Sequence, residues 1–535
     1  MADNEDDGEW SPWEKEEAVA KEEEEEEPRV SEHEENQPLI PSSSYLVEVG
    51  EENLMMDGSD TIRLVGPKPS LLPQYLTAAI VTLGSFSMGC VLGYSSPAGP
   101  LLLANSTDGQ PFLTEDQNNW FGSSLSLGAM IGGPVCGIGL TTIGRKGTMQ
   151  VSAIPFVAGW ILIAFATNFA MLMAGRIITG FCCGVSSMVI TTYIGEFASP
   201  SIRGVLGSSF QLMVTLGLLY AMAIGAFVSS WQVLAGVCAI PPVIYFALLF
   251  FIKESPVYLL TKGKDDKAAA ALQYFRGSDC NIQLELDMMR ESIAESKRNK
   301  ASFRDLLKPQ NMKPLLIAIA LMFFQQFSGI NPVLFNLSII FQDAGSSLKA
   351  AYSSIIISVV QVLATLFAVI VMDKAGRKLL LVASSSVMAL SLVVLGEFFY
   401  EKMVDESWAV ETLGWLPLVA LIMFILAFSY GYGPVPWLML GELFASDVKE
   451  LAASITTLCN WTLSFIVTII FLPVKNVIGD YGIYWVFSGI CVLNLIFCVC
   501  VVPETKGKTL EEINAYFGAQ PTDRSNSRTR NRSEM

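Results

Sequence analysis

Residues 350–397 read AAYSSIIISVVQVLATLFAVIVMDKAGRKLLLVASSSVMALSLVVLGE. Two apolar runs, 350–372 and 379–397, flank a short charged turn that contains Asp373, Gly376, Arg377 and Lys378. A bilayer core about 30 Å thick needs about 20 residues of helix to cross it, and each run is near that length. Neither run alternates polar with apolar residues, so neither reads as a barrel strand. In lipid the backbone must bond to itself, which leaves helices.

The pattern repeats outward from this pair. Further apolar runs at 75–94, 118–140, 149–167, 170–190, 206–226, 232–252, 314–334, 414–440, 452–472 and 483–502 predict twelve spans in all. The chain of 535 residues is 52 % hydrophobic and 16 % charged, with a mean hydropathy of +0.46, well outside the range of soluble domains. The predicted fold class is an all-α membrane protein with twelve transmembrane helices in two six-helix halves. The halves are a bundle at 71–252 and a bundle at 314–502, joined by a helical linker at 253–313 and flanked by tails at 1–70 and 503–535.

The net charge of -17 is concentrated in residues 1–50, which hold 18 acids and three bases, so the membrane body is nearly neutral. A tail so acidic and so poor in apolar residues is expected to be disordered, and it lacks the basic-then-apolar order of a cleavable signal. Arg145, Lys146, Arg203, Lys374, Arg377, Lys378, Lys449 and the twelve bases of 253–313 gather on one side, against Lys349, Lys402 and Lys475 on the other. This bias predicts that both termini and the linker are cytoplasmic. Asn105-Ser106-Thr107 then becomes a glycosylation sequon in the first external loop. In the tail, Glu35, Leu39 and Ile40 resemble an acidic dileucine sorting signal read by a clathrin adaptor. The location expected from this is the plasma membrane or the endosomal and lysosomal membranes.

The halves echo each other. Gly144-Arg145-Lys146 recurs as Gly376-Arg377-Lys378, Gly195-Glu196-Phe197 as Gly441-Glu442-Leu443, and Glu254-Ser255-Pro256 sits where the second half has Pro503-Glu504-Thr505. A parallel repeat after six spans is what a carrier that rocks one half against the other requires. The cations of the two Gly-Arg-Lys turns can bridge to Glu196 and Glu442, and Asp373 precedes the second turn. The pair reads as a latch on the cytoplasmic side.

No Asp or Glu lies near the middle of a span; Glu196, Asp373, Glu397 and Glu442 all fall near ends. Ion-driven carriers usually hold a carboxylate in the membrane to take up the coupling ion, so passive transport is favoured. Arg176 is the one obvious intramembrane charge, expected to be satisfied by carbonyls and hydroxyls. The spans otherwise carry neutral groups: Gln211, Gln325, Gln326, Asn331, Gln361, Trp437, Asn460 and Trp461. Amides both donate and accept, as vicinal hydroxyls do, and an indole packs against the C–H face of a pyranose, so the set suits a polyol better than an ion. Helix breakers at Gly329 and Pro332, and from Gly431 to Pro436, mark where a cavity can use exposed backbone. A single histidine, His33, and ten cysteines without ligand spacing give no metal site. No nucleophile–base pair or phosphate loop appears, so neither an enzyme nor a cofactor is expected. The expected partners are a small sugar and membrane lipid, with no nucleic acid.

These pieces, with Gly175-Arg176, Tyr193-Ile194-Gly195-Glu196, Arg203-Gly204, Asn460-Trp461 and Pro503-Glu504-Thr505, stand in register from about residue 75 to 513. Together they resemble the sugar porters of the major facilitator superfamily and, within them, the facilitative glucose transporter family. Gly93-Tyr94-Ser95-Ser96-Pro97-Ala98 is similar to intracellular-type glucose transporters, and Met322-Phe323-Phe324 with Trp437-Leu438-Met439 to insect facilitated trehalose transporters. The resemblance implies that the amides and indoles above bind sugar and that Glu196, Arg203, Glu442 and Lys449 form a cytoplasmic salt-bridge network. It also implies uniport of a hexose such as glucose, with trehalose uniport or proton symport as alternatives. The family's proton symporters have an aspartate after the Gly-Tyr pair where this chain has Ser95. Phe335 and Asn336 stand where many hexose carriers have tyrosines.

Overall fold

The computed structural model describes residues 54–57, 61–64, 70–104, 111–298, 303–345, 348–444, 448–508, 512–513 and 516–517. The sorting motif at 35–40 and the sequon at Asn105 lie outside them. Up to Gly66 the chain is a unit of its own. Leu54–Asp57 (β1) pairs antiparallel with Thr61–Leu64 (β2), Leu54 opposite Leu64, and the rest of the tail expected to be disordered lies outside the described residues up to Ser70. Short apolar runs flanking Gly58-Ser59-Asp60, a turn-forming composition, account for this hairpin.

The second unit is the membrane body. Its first half comprises α1 (Leu72–Leu103), α2 (Glu115–Thr142), α3 (Gly144–Ala164), α4 (Phe169–Phe197), α5 (Arg203–Phe227) and α6 (Trp231–Leu248). The second comprises α7 (Pro309–Phe335), α8 (Ala350–Ala375), α9 (Arg377–Val404) and α10 (Leu416–Glu442). A continuous stretch, Lys449–Cys500, follows and is broken only at Gly479, whose φ is +82°. The break divides α11 (449–478) from α12 (480–500), which completes twelve transmembrane helices in two six-helix halves. Between α6 and α7 lie four short helices, Pro256–Thr261, Asp265–Arg276, Gln283–Arg298 and Phe303–Leu306.

Several helices outrun their apolar runs. α1 continues to Leu103 through Pro97 and Pro100, because the far end of a carrier helix is covered by protein as well as lipid. The face bearing the Gly-Arg-Lys turns is called the basic face below, and the opposite one the far face.

Small residues set the closest helix crossings. A Cβ on Gly128 would lie 2.1 Å from Ile177 O, on Gly132 2.2 Å from Phe181 O, on Gly180 2.1 Å from Leu125 O and on Gly184 2.3 Å from Ala129 O. Two Gly-x-x-x-Gly stripes, one on α2 and one on α4, therefore face each other with backbones touching. Association of helices in lipid rests on such van der Waals contact, since the solvent is as apolar as the side chains. Gly180→Ala should cost about 1–3 kcal/mol through overpacking, read as a lower melting temperature of the detergent-solubilised protein. An unchanged melt would mean that the crossing can widen freely.

Candidate functional site

The second half holds a continuous chain of neutral polar groups. α7 is helical to Phe327 and then breaks at Gly329, with φ +86°, before resuming at Ile330–Phe335. Its hinge is thus this glycine rather than Pro332. α10 widens into a π turn at Phe428–Tyr432, which leaves the Tyr432 and Gly433 carbonyls free for side chains. Gln325 Nε2 donates to both, at 2.9 and 3.0 Å. Gln325 Oε1 accepts from Asn460 Nδ2 at 2.9 Å, and Asn460 Oδ1 accepts from Gln326 Nε2 at 3.2 Å. Gln326 Oε1 accepts from Asn331 Nδ2 at 2.6 Å. Asn331 also donates to Ser464 Oγ at 2.8 Å, and Ser464 Oγ lies 2.8 Å from Ser126 Oγ of α2. The chain thus runs from α10 through α7 and α11 into the other half.

Two buried groups beside this chain have no partner: Gln361 Oε1 on α8 and Trp461 Nε1 on α11. One accepts and the other donates, the two functions that a hydroxyl combines. Gln211 and Trp437 stand apart from the chain; both are exposed, Trp437 by 38 %.

Arg176 is fully buried in the first half. It donates to Phe121 O at 3.3 Å, to Val91 O at 3.0 Å and to Ser95 Oγ. Its guanidinium carbon lies 4.6 Å from the Phe121 ring centroid and 5.9 Å from that of Tyr94. Carbonyls, a hydroxyl and π faces hold this cation, and no described carboxylate pairs with it.

The halves meet toward the far face. Ser96 Oγ lies 2.9 Å from Ser338 Oγ and accepts from Ser338 N at 3.0 Å. Asn119 Nδ2 donates to Ile469 O at 2.8 Å, and Trp120 packs its ring 6.2 Å from that of Phe465. Toward the basic face, Thr191 and Gly195 on α4, with Gly204, Gly207 and Gln211 on α5, are exposed. That surface is small and polar, unlike the large apolar side chains, such as Ile138 and Phe251, exposed where the body meets lipid. The crevice between the halves is closed at the far face and open at the basic face.

Each half carries the same polar rivet at the basic face. Gly144 (φ +86°) and Gly376 (φ +87°) turn where a Cβ would strike Glu254 Oε2 at 2.5 Å and Glu504 Oε2 at 2.9 Å. Arg145 pairs with Glu196, and Arg377 pairs with Glu442 at 2.9 Å. Ser255 Oγ donates to Glu196, as Thr505 Oγ1 does to Glu442 at 2.5 Å. Glu254 accepts from the backbone N–H groups of Arg145 and Lys146, and Glu504 from those of Arg377 and Lys378. Burial alone would raise the Glu504 carboxyl, but N–H donors from Lys506, Arg377, Lys378 and Thr505 hold it below the usual glutamate value. Both rivets lie inside their own half rather than across the crevice. The other two expected network members need correction: Arg203 is exposed and donates to Ala198 O at 3.3 Å, and Lys449 is exposed. Neither forms an ion pair among the described residues, because the basic face is open around them. Asp373 lies in the last turns of α8.

Ser126 and Ser464 escaped the sequence reading, and the bond from Arg176 to Ser95 was not foreseen. Isolated serines are common in apolar runs and usually bond to their own helix, so only their cross-helix partners reveal them. Asn460 is bonded to both glutamines, so Asn460→Ala should lower the kcat/KM for sugar counterflow by about 10- to 100-fold, while the protein stays folded by size-exclusion chromatography. Counterflow unchanged in that variant would remove the amide chain from the site.

The model of the Sugar (and other) transporter family matches residues 77–517. Facilitated trehalose transporter Tret1 of Polypedilum vanderplanki is 39 % identical over 462 residues, covering 85 % of this chain and 91 % of the relative. That of Culex quinquefasciatus is 40 % identical over 443 residues, covering 82 % and 85 %. Of the Drosophila yakuba relative, also 39 % identical, the chain spans 54 % of the length. Among solved structures, the inward open conformation of the xylose transporter XylE from E. coli matches with a TM-score of 0.70 at 25 % identity, covering 83 % of this chain and 99 % of that one. With the family match spanning both halves and the amide chain between them, the chain belongs to the sugar transporters of the major facilitator superfamily, multi-pass membrane carriers rather than enzymes.

Proposed function

We propose that this carrier is a facilitative uniporter of a glucosyl sugar, with trehalose as the substrate its relatives favour and glucose as the second reading. The observation that carries passive transport is the Arg176 environment. In a driven carrier a carboxylate in the membrane takes up the coupling ion. Here the residue after Gly93-Tyr94 is Ser95, whose hydroxyl accepts from Arg176. A serine does not titrate at physiological pH, so a proton has no site there. XylE, described as a proton:xylose symporter, is the contrasting relative.

In the cycle, sugar enters the open crevice and meets Trp437 and Gln211. Its hydroxyls then exchange for the amide–amide bonds among Gln325, Gln326, Asn331 and Asn460. Gln361 Oε1 and Trp461 Nε1 offer an acceptor and a donor with nothing to displace. Rocking of the halves would open the far face by breaking the Ser96–Ser338, Ser126–Ser464 and Asn119–Ile469 contacts. The two rivets, with Arg145, Glu196, Arg377 and Glu442, keep each half rigid as it turns. Arg203, Lys449 and Asp373 are lip residues that gain partners as the basic face closes.

In proteoliposomes, counterflow of labelled trehalose or glucose should run down its gradient and ignore a pH step, and should fall at least about tenfold in Gln325→Ala. Proton movement coupled stoichiometrically to sugar would exclude the uniport.

The basic face is proposed to be cytoplasmic on its Lys and Arg excess, with Asn105 glycosylated on the other side and Leu39-Ile40 bound by a clathrin adaptor. On that reading the protein cycles between the plasma membrane and endosomal or lysosomal membranes. Asn105→Gln should abolish a glycosidase-sensitive gel shift, and Leu39→Ala with Ile40→Ala should move protein to the surface. A persisting shift would reverse the topology, and an unchanged distribution would remove the sorting signal.

A further inference from the structure

One turn beyond the amide chain, toward the far face, lies a second layer of amides. Asn118 and Asn119 of α2, Asn336 at the end of α7 and Thr468 of α11 line a small cavity with Ser95 and Ser123. Its open space is about 10 Å³, room for about one water. Asn118 is 91 % buried, yet its Oδ1 has no hydrogen-bond partner. A buried amide oxygen without a protein partner leaves an acceptor that a water in this space, or a ligand hydroxyl replacing it, can satisfy.

The spacing supplies the argument. Ser126, where the inner chain ends on α2, and Asn119 are seven residues apart, about 10 Å along a helix. On α11 Ser464 and Thr468 are one turn apart, about 6 Å. The second layer therefore stands about one pyranose ring farther out than the first. It is built from both halves, and Asn119 is itself a closing contact through Ile469 O. Asn336 caps the segment of α7 beyond the Gly329 hinge, and its amide donates locally to Pro332 O at 3.0 Å. Swinging that segment away from α2 widens the cavity while keeping four polar side chains on its walls.

We infer that Asn118, Asn119 and Asn336 form an outer subsite that receives the second ring of a disaccharide when the far face opens, and so set the preference between disaccharide and monosaccharide. This rests on the carrier reading above and deepens it. A single ring seated on the inner amides does not reach the outer layer, whereas a disaccharide seated there does.

The test is uptake of labelled trehalose and labelled glucose by proteoliposomes of the full chain, with sugar supplied at the far face. Asn118→Ala and Asn336→Ala should each raise the half-saturating trehalose concentration about tenfold and leave that of glucose within about twofold. Asn336→Gln, which keeps an amide, should stay close to the parent protein. Glucose uptake in the same vesicles reports that each variant is folded. Equal shifts for both sugars, or no shift in either, would overturn the subsite while leaving the carrier intact. A parent protein that moves neither sugar would overturn the carrier reading and the subsite with it.

Discussion

A polar side chain inside a membrane must have a partner, and this requirement organises the whole molecule. Gln325, Gln326, Asn331 and Asn460 meet it by bonding to one another, to the carbonyls released by the π turn of α10, and to Ser464. A network closed on itself is stable in the empty carrier, yet every bond in it joins neutral groups that a hydroxyl can replace at little net change in free energy. On the proposed reading, that near balance would let a sugar bind and leave, whereas a charge at the same depth would hold its partner too tightly or need an ion to accompany it. Arg176 is held by carbonyls and two aromatic faces.

The duplicated halves serve the same end. Each basic-face rivet ties three helix ends and the following chain together: Arg145, Glu196, Glu254 and Ser255 in one half, Arg377, Glu442, Glu504 and Thr505 in the other. Close Gly-x-x-x-Gly crossings stiffen the first half further. With each half rigid, the polar contacts between them are hydroxyl pairs and one amide–carbonyl bond, set beside the packing of α2 on α11 and of α5 on α8. A substrate that stabilises the intermediate state by a few bonds can therefore shift the balance between the two openings.

Twelve spans and the parallel repeat were legible in the sequence, because apolar run length depends on lipid alone. What depends on packing was not. Of the two breakers read in α7, Gly329 and Pro332, only the structure singles out Gly329 as the hinge, since proline fits a helix's first turn and glycine readily adopts the positive φ found there. Arg203 and Lys449 read as network members by motif, but ion pairing varies with the conformation, and the open face leaves them without one. Ser126 and Ser464 look like any serine in an apolar run until their partners on other helices are seen. The hairpin at 54–64 was hidden by the acidity of the tail around it.

A structure of the carrier with trehalose or glucose bound, at a resolution that places the hydroxyls, tests the central claim. Sugar hydroxyls should lie within hydrogen-bond distance of Gln325, Gln326 and Asn460, with Gln361 Oε1 and Trp461 Nε1 newly partnered and Arg176 still on its carbonyls. Sugar seated elsewhere, with the amide bonds intact and those two groups still alone, would contradict it.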